Sequence, residues 1–229
     1  MLLEVKKLSN LLEKDLREIA EKIEFSPESE RYNLISEHID FFLSDSFKDK
    51  LKVGKFEDLV PILVYFPEDK LVELMQKFKD VIHEKVKEAK SRSLGRLINE
   101  LTKNSRKNFI QIYHDALKDK ILSAPLTDIG ILLYNMLERE RESFIGQMRD
   151  VFLGKDFEEK LKTASIKEIG DFLSSLPKKS RDSFIRAHTD FILSEYFIEK
   201  LKSADSDSRG SFLRWMPNKI YDELLAKIR

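Results

Sequence analysis

The sequence predicts an all-α fold, a right-handed α-α superhelix (solenoid) of two- or three-helix repeats that are 35–40 residues long. Long Leu-, Ile-, Lys- and Glu-rich segments run between only seven glycines and six prolines, which is typical of helices. An aspartate also recurs at steps of 40, 35, 35 and 40 residues, which indicates a repeat architecture. The recurring aspartates are Asp40, Asp80, Asp115, Asp150 and Asp190.

The first predicted element of each repeat is a short helix, the A helix, centred about 20 residues before the aspartate. The residue at that point is small, and in four copies it is a glycine: Gly95, Gly130, Gly170 and Gly210. A glycine inside a helix costs about 1 kcal/mol, so we expect it to allow the close approach of a neighbouring helix. Ser165 and Glu168 have the spacing of a capping box, which predicts the start of one A helix.

The second element, the B helix, is predicted to start near an arginine that precedes the aspartate by nine residues. The arginine is present in four copies, as Arg31, Arg106, Arg141 and Arg181. Apolar residues recur six, five and two residues before the aspartate, which marks one buried face of a helix. The last of these slots holds His38, Phe78, Tyr113, Met148 and His188. We therefore expect both histidines to pack in the core rather than to bind a metal.

The third element follows the aspartate and ends at a recurring pair of an acidic residue and a lysine. The lysines of these pairs are Lys50, Lys85, Lys120, Lys160 and Lys200. Counted from the aspartate, the pair comes five residues later in the copies of Asp40, Asp150 and Asp190 than in those of Asp80 and Asp115. We call the first three the long copies and the other two the short copies. The extra residues include a serine or a glycine, which predicts a helix break and a short third helix. Long copies are thus predicted to be three-helix units and short copies two-helix hairpins.

The recurring aspartate is predicted to be structural. We expect it to accept hydrogen bonds from an arginine or lysine of a neighbouring repeat or from a helix N-terminus. A partner-binding contact repeated along the array is the alternative.

These marks predict one α-helical repeat domain over residues 1–229. Its predicted parts are N-terminal helices of a partial repeat (1–30), five repeats (31–70, 71–105, 106–140, 141–180 and 181–220) and the start of an incomplete sixth repeat (221–229). The sixth repeat is incomplete because its aspartate would fall at position 230, one residue past the end of the sequence. We expect either a cap or a fragment of a longer array.

Composition narrows the functions that are expected. Forty-one basic and 41 acidic residues cancel, so there is no global attraction to nucleic acid or membrane. Without cysteine the chain has no disulfide, thiolate zinc site or thiol nucleophile, and it lacks an apolar run long enough to span a bilayer. Asp205 begins a segment like a calcium loop, but Arg209 and Met216 occupy ligand positions of such a loop, and helix capping explains Asp205. We expect no metal, no cofactor, no catalytic residue, no membrane insertion and a cytoplasmic location.

One segment of the sequence carries a net positive charge. Residues 77–107 hold ten basic and four acidic residues, which indicates either a solvated face or a footprint for an anionic partner. The candidate contact residues there are Lys85, Lys87, Lys90, Arg92 and Arg96. Trp215, near the end of the last A helix, is a further candidate as an anchor for a partner.

Over nearly its whole length the repeat pattern resembles the armadillo and HEAT class of α-solenoids. In those families an aspartate and a basic residue form ladders between repeats. Here the arginine precedes the aspartate by nine positions, so that motif does not carry over. Two phrases, Phe172-Leu-Ser-Ser-Leu-Pro177 followed by Arg181 and Asn135-Met-Leu-Glu-Arg139, are also similar to helices of flagellar rotor switch proteins and of the cytosolic domain of magnesium transporters.

We therefore expect a non-enzymatic scaffold or adaptor that binds a protein partner on an extended helical-repeat surface. The alternative is binding of nucleic acid or of an anionic surface through residues 77–107. A second alternative is an enzyme built on a helical array. The oligomeric state stays open.

Overall fold

The structure, a computed structural model, describes residues 13–228. It is all-α, with twenty helices and no strand among these residues, and the helices pack against neighbours in sequence as in a helical-repeat fold. The part of the predicted N-terminal helices that falls in residues 1–12 lies outside the described residues. The chain forms two compact units, residues 1–120 and 121–229. The predicted single repeat domain and its repeat boundaries stay predictions.

The helices follow one another with short connections. The first unit contains α1 (Leu16–Phe25), α2 (Glu28–Ser36), α3 (Ile39–Phe42), α4 (Asp45–Val53), α5 (Phe56–Tyr65), α6 (Glu68–Lys77), α7 (Lys79–Glu88), α8 (Ser91–Glu100), α9 (Lys103–Ile112) and most of α10 (His114–Ser123). The second unit contains α11 (Leu126–Tyr134), α12 (Glu138–Gln147), α13 (Arg149–Phe152), α14 (Lys155–Thr163), α15 (Ile166–Ser175), α16 (Lys178–Ala187), α17 (Thr189–Ile192), α18 (Glu195–Ser203), α19 (Ser206–Leu213) and α20 (Asn218–Ile228).

Equivalent helices of successive repeats are neighbours. The A helices of the first unit pack in the order α1, α5, α8, and those of the second unit pack in the order α11, α15, α19. The B helices also pack in pairs, α6 on α9 and α12 on α16. Each unit is therefore built from layers of equivalent helices. None of the described helices is long and apolar enough to cross a membrane.

The chain between the B helix and the next helix turns at the same slot in all five copies; four B helices end directly before it, and α2 ends two residues before it. The residue two positions before the aspartate has φ between −121° and −98° and ψ between 18° and 26°, which interrupts the helix. Its side chain is at most 5% exposed in all five copies. The prediction that His38 and His188 occupy packing positions is thereby confirmed.

The third element differs from its prediction. In the short copies it is a separate helix, α7 or α10, so the predicted two-helix hairpins are wrong. In the long copies the expected break occurs at Ser44, Gly154 and Ser194, each of which precedes a nine-residue helix. The extra residues therefore add a four-residue helical turn, α3, α13 or α17, to a three-helix unit.

The recurring glycines do not share one role. A β-carbon on Gly170 would lie 3.0 Å from Ser211 Oγ and 3.1 Å from Phe212 N, so this glycine allows α15 and α19 to approach closely. A β-carbon on Gly130 or Gly210 would meet nothing within 4 Å, and the close-approach explanation is wrong for both. Gly95 is buried in α8.

Candidate partner-binding surface

The five recurring aspartates lie at equivalent, exposed positions. Each is the second residue of the helix that follows the B helix, where a carboxylate interacts favourably with the helix dipole. These residues are Asp40, Asp80, Asp115, Asp150 and Asp190. Within the described chain, Asp40, Asp80 and Asp190 form no ion pair with an arginine or lysine of a neighbouring repeat. Their position favours the helix N-terminus among the predicted roles, and the structural role of the aspartates stays a prediction.

The recurring arginines join the helices instead. In all four copies the guanidinium donates a hydrogen bond to the carbonyl oxygen five residues before it, at the end of the preceding A helix. The acceptors are Ser26 O for Arg31 (2.9 Å), Leu101 O for Arg106 (2.8 Å), Met136 O for Arg141 (2.9 Å) and Leu176 O for Arg181 (3.5 Å). Carbonyls that the helix leaves without an intrahelical partner are satisfied in this way.

In the long copies the same arginines also reach the end of the next A helix or the segment just after it, at a residue 34 positions further along the chain. Arg31 donates to Tyr65 Oη at 2.5 Å, Arg141 donates to Ser175 O at 2.7 Å, and the guanidinium of Arg181 stacks 4.2 Å from the centre of the Trp215 ring. Burial lowers the pKa of Arg141 from its ordinary value. We call Arg31, Arg106, Arg141 and Arg181 the framework arginines.

The recurring lysines have a similar structural role in the long copies. Lys50 Nζ donates to Lys14 O at 2.6 Å, and Lys160 Nζ donates to Ala124 O, the equivalent carbonyl one residue before an A-helix N-cap. Lys200 Nζ donates to Leu161 O at 3.3 Å. Burial lowers the pKa of both Lys160 and Lys200. In the short copies, Lys85 and Lys120 are half-buried.

The basic 77–107 segment exposes less free charge than its composition indicates. Arg106 is a buried framework arginine that also donates to Ile98 O at 2.6 Å. Arg96 forms ion pairs with Glu24 at 3.2 Å and Glu100 at 2.8 Å. Lys87 lies 3.8 Å from both Glu84 and Asp119. Lys90 and Arg92 are exposed. Ion pairs therefore partly neutralise two of the five candidates, Lys87 and Arg96, and the candidate set stays a prediction.

A basic groove lies in the second unit between the B helices α12 and α16. Its volume is about 440 Å³. Three basic residues, Arg139, Arg149 and Lys179, and one acidic residue, Glu142, line it. Its other lining residues are Ile145, Leu153, Gly146, Ser143, Ser180 and Ser183. Ile145 is buried and Leu153 is half-buried, so the groove combines a basic rim with an apolar floor.

A second basic groove, of about 560 Å³, lies on the other side of α16. Its charged lining residues are Lys178, Arg181, Arg186, Arg214, Lys219 and Asp182. The remaining lining residues are Trp215, Met216, Pro217 and Ile220, which belong to α20 and to the segment before it. The candidate anchor Trp215 is half-buried there under Arg181. We call the two grooves together the α16 surface.

The α16 surface is basic because most acidic residues of the second unit lie outside its two grooves. Eight basic and two acidic residues line it, whereas residues 121–229 as a whole contain 18 of each sign. None of the eight basic side chains forms an ion pair with a carboxylate of the described chain. Positive side chains around a groove, without acidic partners, are available to an anionic ligand.

Sequence reasoning missed this surface because its basic residues are spread between positions 139 and 219 and are interleaved with acidic residues that lie outside the grooves. One local signal could have indicated it. The ten residues of α16 hold four basic residues and one acidic residue, Asp182. A window of the length of a single helix detects this excess, whereas a longer window averages it away.

The described residues include no cluster of three His, Asp or Glu side chains that could hold a metal ion. An apolar patch is also present, formed at the end of α11 by Ile131, Tyr134 and Leu137, which are 45%, 78% and 67% exposed. It borders a groove of about 320 Å³ between α11 and α15, with Gly130 and Phe172 among its lining residues.

Comparison with models of protein families, with curated proteins and with solved structures gave no match. The resemblances to armadillo and HEAT repeats, rotor switch proteins and magnesium transporters therefore remain resemblances of sequence pattern.

Proposed function

We propose that the protein is a non-catalytic scaffold that binds a protein partner on the α16 surface. The observation that carries this proposal is the placement of eight basic side chains without acidic partners around two adjacent grooves. The recurring arginines and lysines, Arg181 among them, mostly hold successive repeats together, so the other seven basic residues of the α16 surface are the ones left for recognition. Grooves between stacked repeats are typical binding surfaces of helical-repeat proteins.

Two other functions remain proposals with less support. Nucleic-acid or anionic-surface binding through residues 77–107 is disfavoured by the ion pairs of Lys87 and Arg96 and by the burial of Arg106. An enzyme on a helical array would need convergent acid–base or nucleophilic groups, and no histidine lines either groove of the α16 surface. A cytoplasmic location belongs to the proposal because a chain without cysteine suits a reducing compartment.

Site-directed photo-cross-linking in cells of the source organism tests the scaffold function. A photoreactive residue replaces Ser183, which is exposed in the first groove, and the matched control replaces Ser46, which is exposed in a groove of the first unit. We expect discrete protein adducts at position 183 that are absent at position 46. They should be lost when Lys179→Glu and Lys219→Glu are added. Adducts with nucleic acid alone, or equal protein adducts at both positions, would contradict the proposal.

A further inference from the structure

We propose that the α16 surface recognises a segment of the partner in which acidic residues recur every three positions with apolar residues between them, bound across both grooves. This inference rests on the proposed scaffold function and adds the chemistry of the partner. Three features carry it: the charge of the two rims, the apolar floor of each groove and the distance between the grooves.

The rims select for negative charge. Lys178, Lys179, Arg186, Arg214 and Lys219 lie around the grooves without a carboxylate partner in the described chain. Arg186 Nε donates a hydrogen bond to the backbone oxygen of Asp182 at 3.3 Å, within its own helix. Guanidinium groups suit carboxylates because they donate two parallel hydrogen bonds to them. An acidic segment therefore finds complementary donors along both sides of α16.

The floors select for apolar side chains between the acidic ones. In the second groove the floor includes Met216 and Ile220, which are 7% and 8% exposed, next to the half-buried Trp215. In the first groove it includes Ile145 and Leu153, and a β-carbon on Gly146 would meet nothing within 4 Å. That open space leaves room for an apolar side chain of the partner. When this side chain is buried in the groove, it excludes water from the surrounding charged groups.

The same features disfavour a nucleic acid. Single-stranded nucleic acids bind by stacking bases on exposed aromatic faces. The α16 surface has one aromatic residue, Trp215, and the Arg181 guanidinium already lies over its ring at 4.2 Å. The apolar floors offer a base neither a stacking face nor an edge to read. A protein segment uses both the rims and the floors.

The geometry also sets the spacing of the acidic residues. The two grooves flank one helix, so their centres are separated by about 10 Å, the usual distance between packed helices. A chain in the extended polyproline II conformation advances about 3.1 Å per residue and has about three residues per turn. Acidic residues three positions apart then lie on one face, about 9 Å from each other, and reach the rims of both grooves at once.

The chain has a single tryptophan, so its fluorescence reports directly on the second groove. The probe is a short tryptophan-free peptide with glutamates three residues apart and leucines between them. Three controls have the same length: the peptide with glutamine for glutamate, the peptide with serine for leucine, and a single-stranded RNA. Each is titrated into the full-length protein at low and high salt, with emission of Trp215 as the readout.

We expect a saturable change with the glutamate-leucine peptide, and binding weaker by about tenfold or more with either altered peptide. Lys179→Glu with Lys219→Glu should weaken binding by a similar factor. The matched double variant Lys90→Glu with Arg92→Glu changes the charge equally in the first unit and should leave binding unchanged. Circular dichroism of both variants checks that they are folded.

Three results would overturn the inference: tighter binding of the RNA than of the peptide, equal binding of the glutamine peptide, or no saturable change with folded protein. If the peptide fails while the adducts at position 183 persist and depend on Lys179 and Lys219, the partner class is wrong and the scaffold function stands. If both experiments fail, the scaffold function fails as well.

Discussion

The grooves of the two units differ in charge although they are built on the same framework. In the first unit, one groove of about 660 Å³ is lined by four basic and four acidic residues, and another by Arg17 and Arg96 against four acidic residues. In the second unit, the two grooves beside α16 have eight basic and two acidic residues. Since residues 121–229 carry no net charge, the difference arises from where charges face rather than from how many there are.

The comparison separates two sets of residues. The framework arginines occur in both units and make equivalent hydrogen bonds at the ends of A helices, as Arg106 does in the first and Arg141 in the second. Apart from Arg181, which lines the second groove and is itself a framework arginine, the groove residues have no such equivalence between units. Recurring positions therefore maintain the fold, and positions that differ between copies can diversify the surface without loss of the repeat.

The largest expected effect comes from removing a framework arginine. We expect Arg106→Ala and Arg141→Ala each to lower the free energy of unfolding by about 2 to 3 kcal/mol, because carbonyls at helix ends lose a charged donor. Arg106 donates to Ile98 O and Leu101 O, and Arg141 donates to Met136 O and Ser175 O. Denaturant-induced unfolding measures both changes.

The control is Arg139→Ala, which removes an exposed arginine of the first groove two positions from Arg141. It should change stability by less than about 0.5 kcal/mol. If Arg139→Ala and Arg141→Ala were equally mild, the recurring arginine would not hold the repeats together, and the separation of framework from surface would be wrong.

Glycines in equivalent positions give the second test. Gly170→Ala should destabilise the protein by about 1 to 3 kcal/mol, because the new methyl group would be forced against Ser211 and Phe212 at 3.0 to 3.2 Å. Gly130→Ala should stabilise it by about 0.5 to 1 kcal/mol, because open space surrounds that point and alanine favours the helix. Thermal and denaturant unfolding of the pair would measure the difference, and equal effects would show that α15 and α19 are not in close contact.

The glycines also illustrate what sequence can and cannot predict. The A and B helices follow from apolar periodicity, and the slot of His38 and His188 follows from its apolar residues in the sister copies. The close approach at Gly170 depends on Ser211, 41 residues away, and nothing in the local sequence separates Gly170 from Gly130.

Two further features could not be predicted from the sequence, for physical reasons. The break between B helix and third helix is a backbone rotation at a buried residue, such as Phe78 or Tyr113, and the apolar pattern continues through it. The α16 surface depends on which side chains face the same groove across three helices. Asp40 and its equivalents recur as clearly as the arginines, yet only the structure shows that the arginines make the contacts between repeats.

The capping box of α15 gives a smaller, pH-dependent effect. Ser165 Oγ accepts a hydrogen bond from Glu168 N at 3.2 Å and donates one to the Glu168 carboxylate at 2.8 Å. Hydrogen bonds from Ser165 lower the pKa of Glu168 below its ordinary value of 4.5. Ser165→Ala should therefore cost about 1 kcal/mol at neutral pH.

The sign of the pH dependence follows from the lowered pKa. A carboxylate whose pKa is depressed in the folded state stabilises the fold above its ordinary pKa, and this part is lost as pH falls below 4.5 toward the lowered value. The stability difference between wild type and Ser165→Ala should shrink in that range but not vanish, since the bond to Glu168 N does not titrate. Glu168→Gln is the control, because it removes the titrating carboxylate. If the stability difference between wild type and Ser165→Ala grew on acidification, the lowered pKa of Glu168 would not arise from its hydrogen bonds with Ser165.

The smallest expected effect is the one that tests the comparison most directly. Lys179→Glu with Lys219→Glu should change the free energy of unfolding by less than about 0.5 kcal/mol, because both lysines are exposed and neither forms an ion pair in the described chain. Lys90→Glu with Arg92→Glu should be equally mild in the first unit. Only the first pair should affect the fluorescence titration of Trp215. If the α16 pair destabilised the protein as strongly as Arg141→Ala, the basic grooves would be part of the framework, and framework and recognition would not be separate sets of residues.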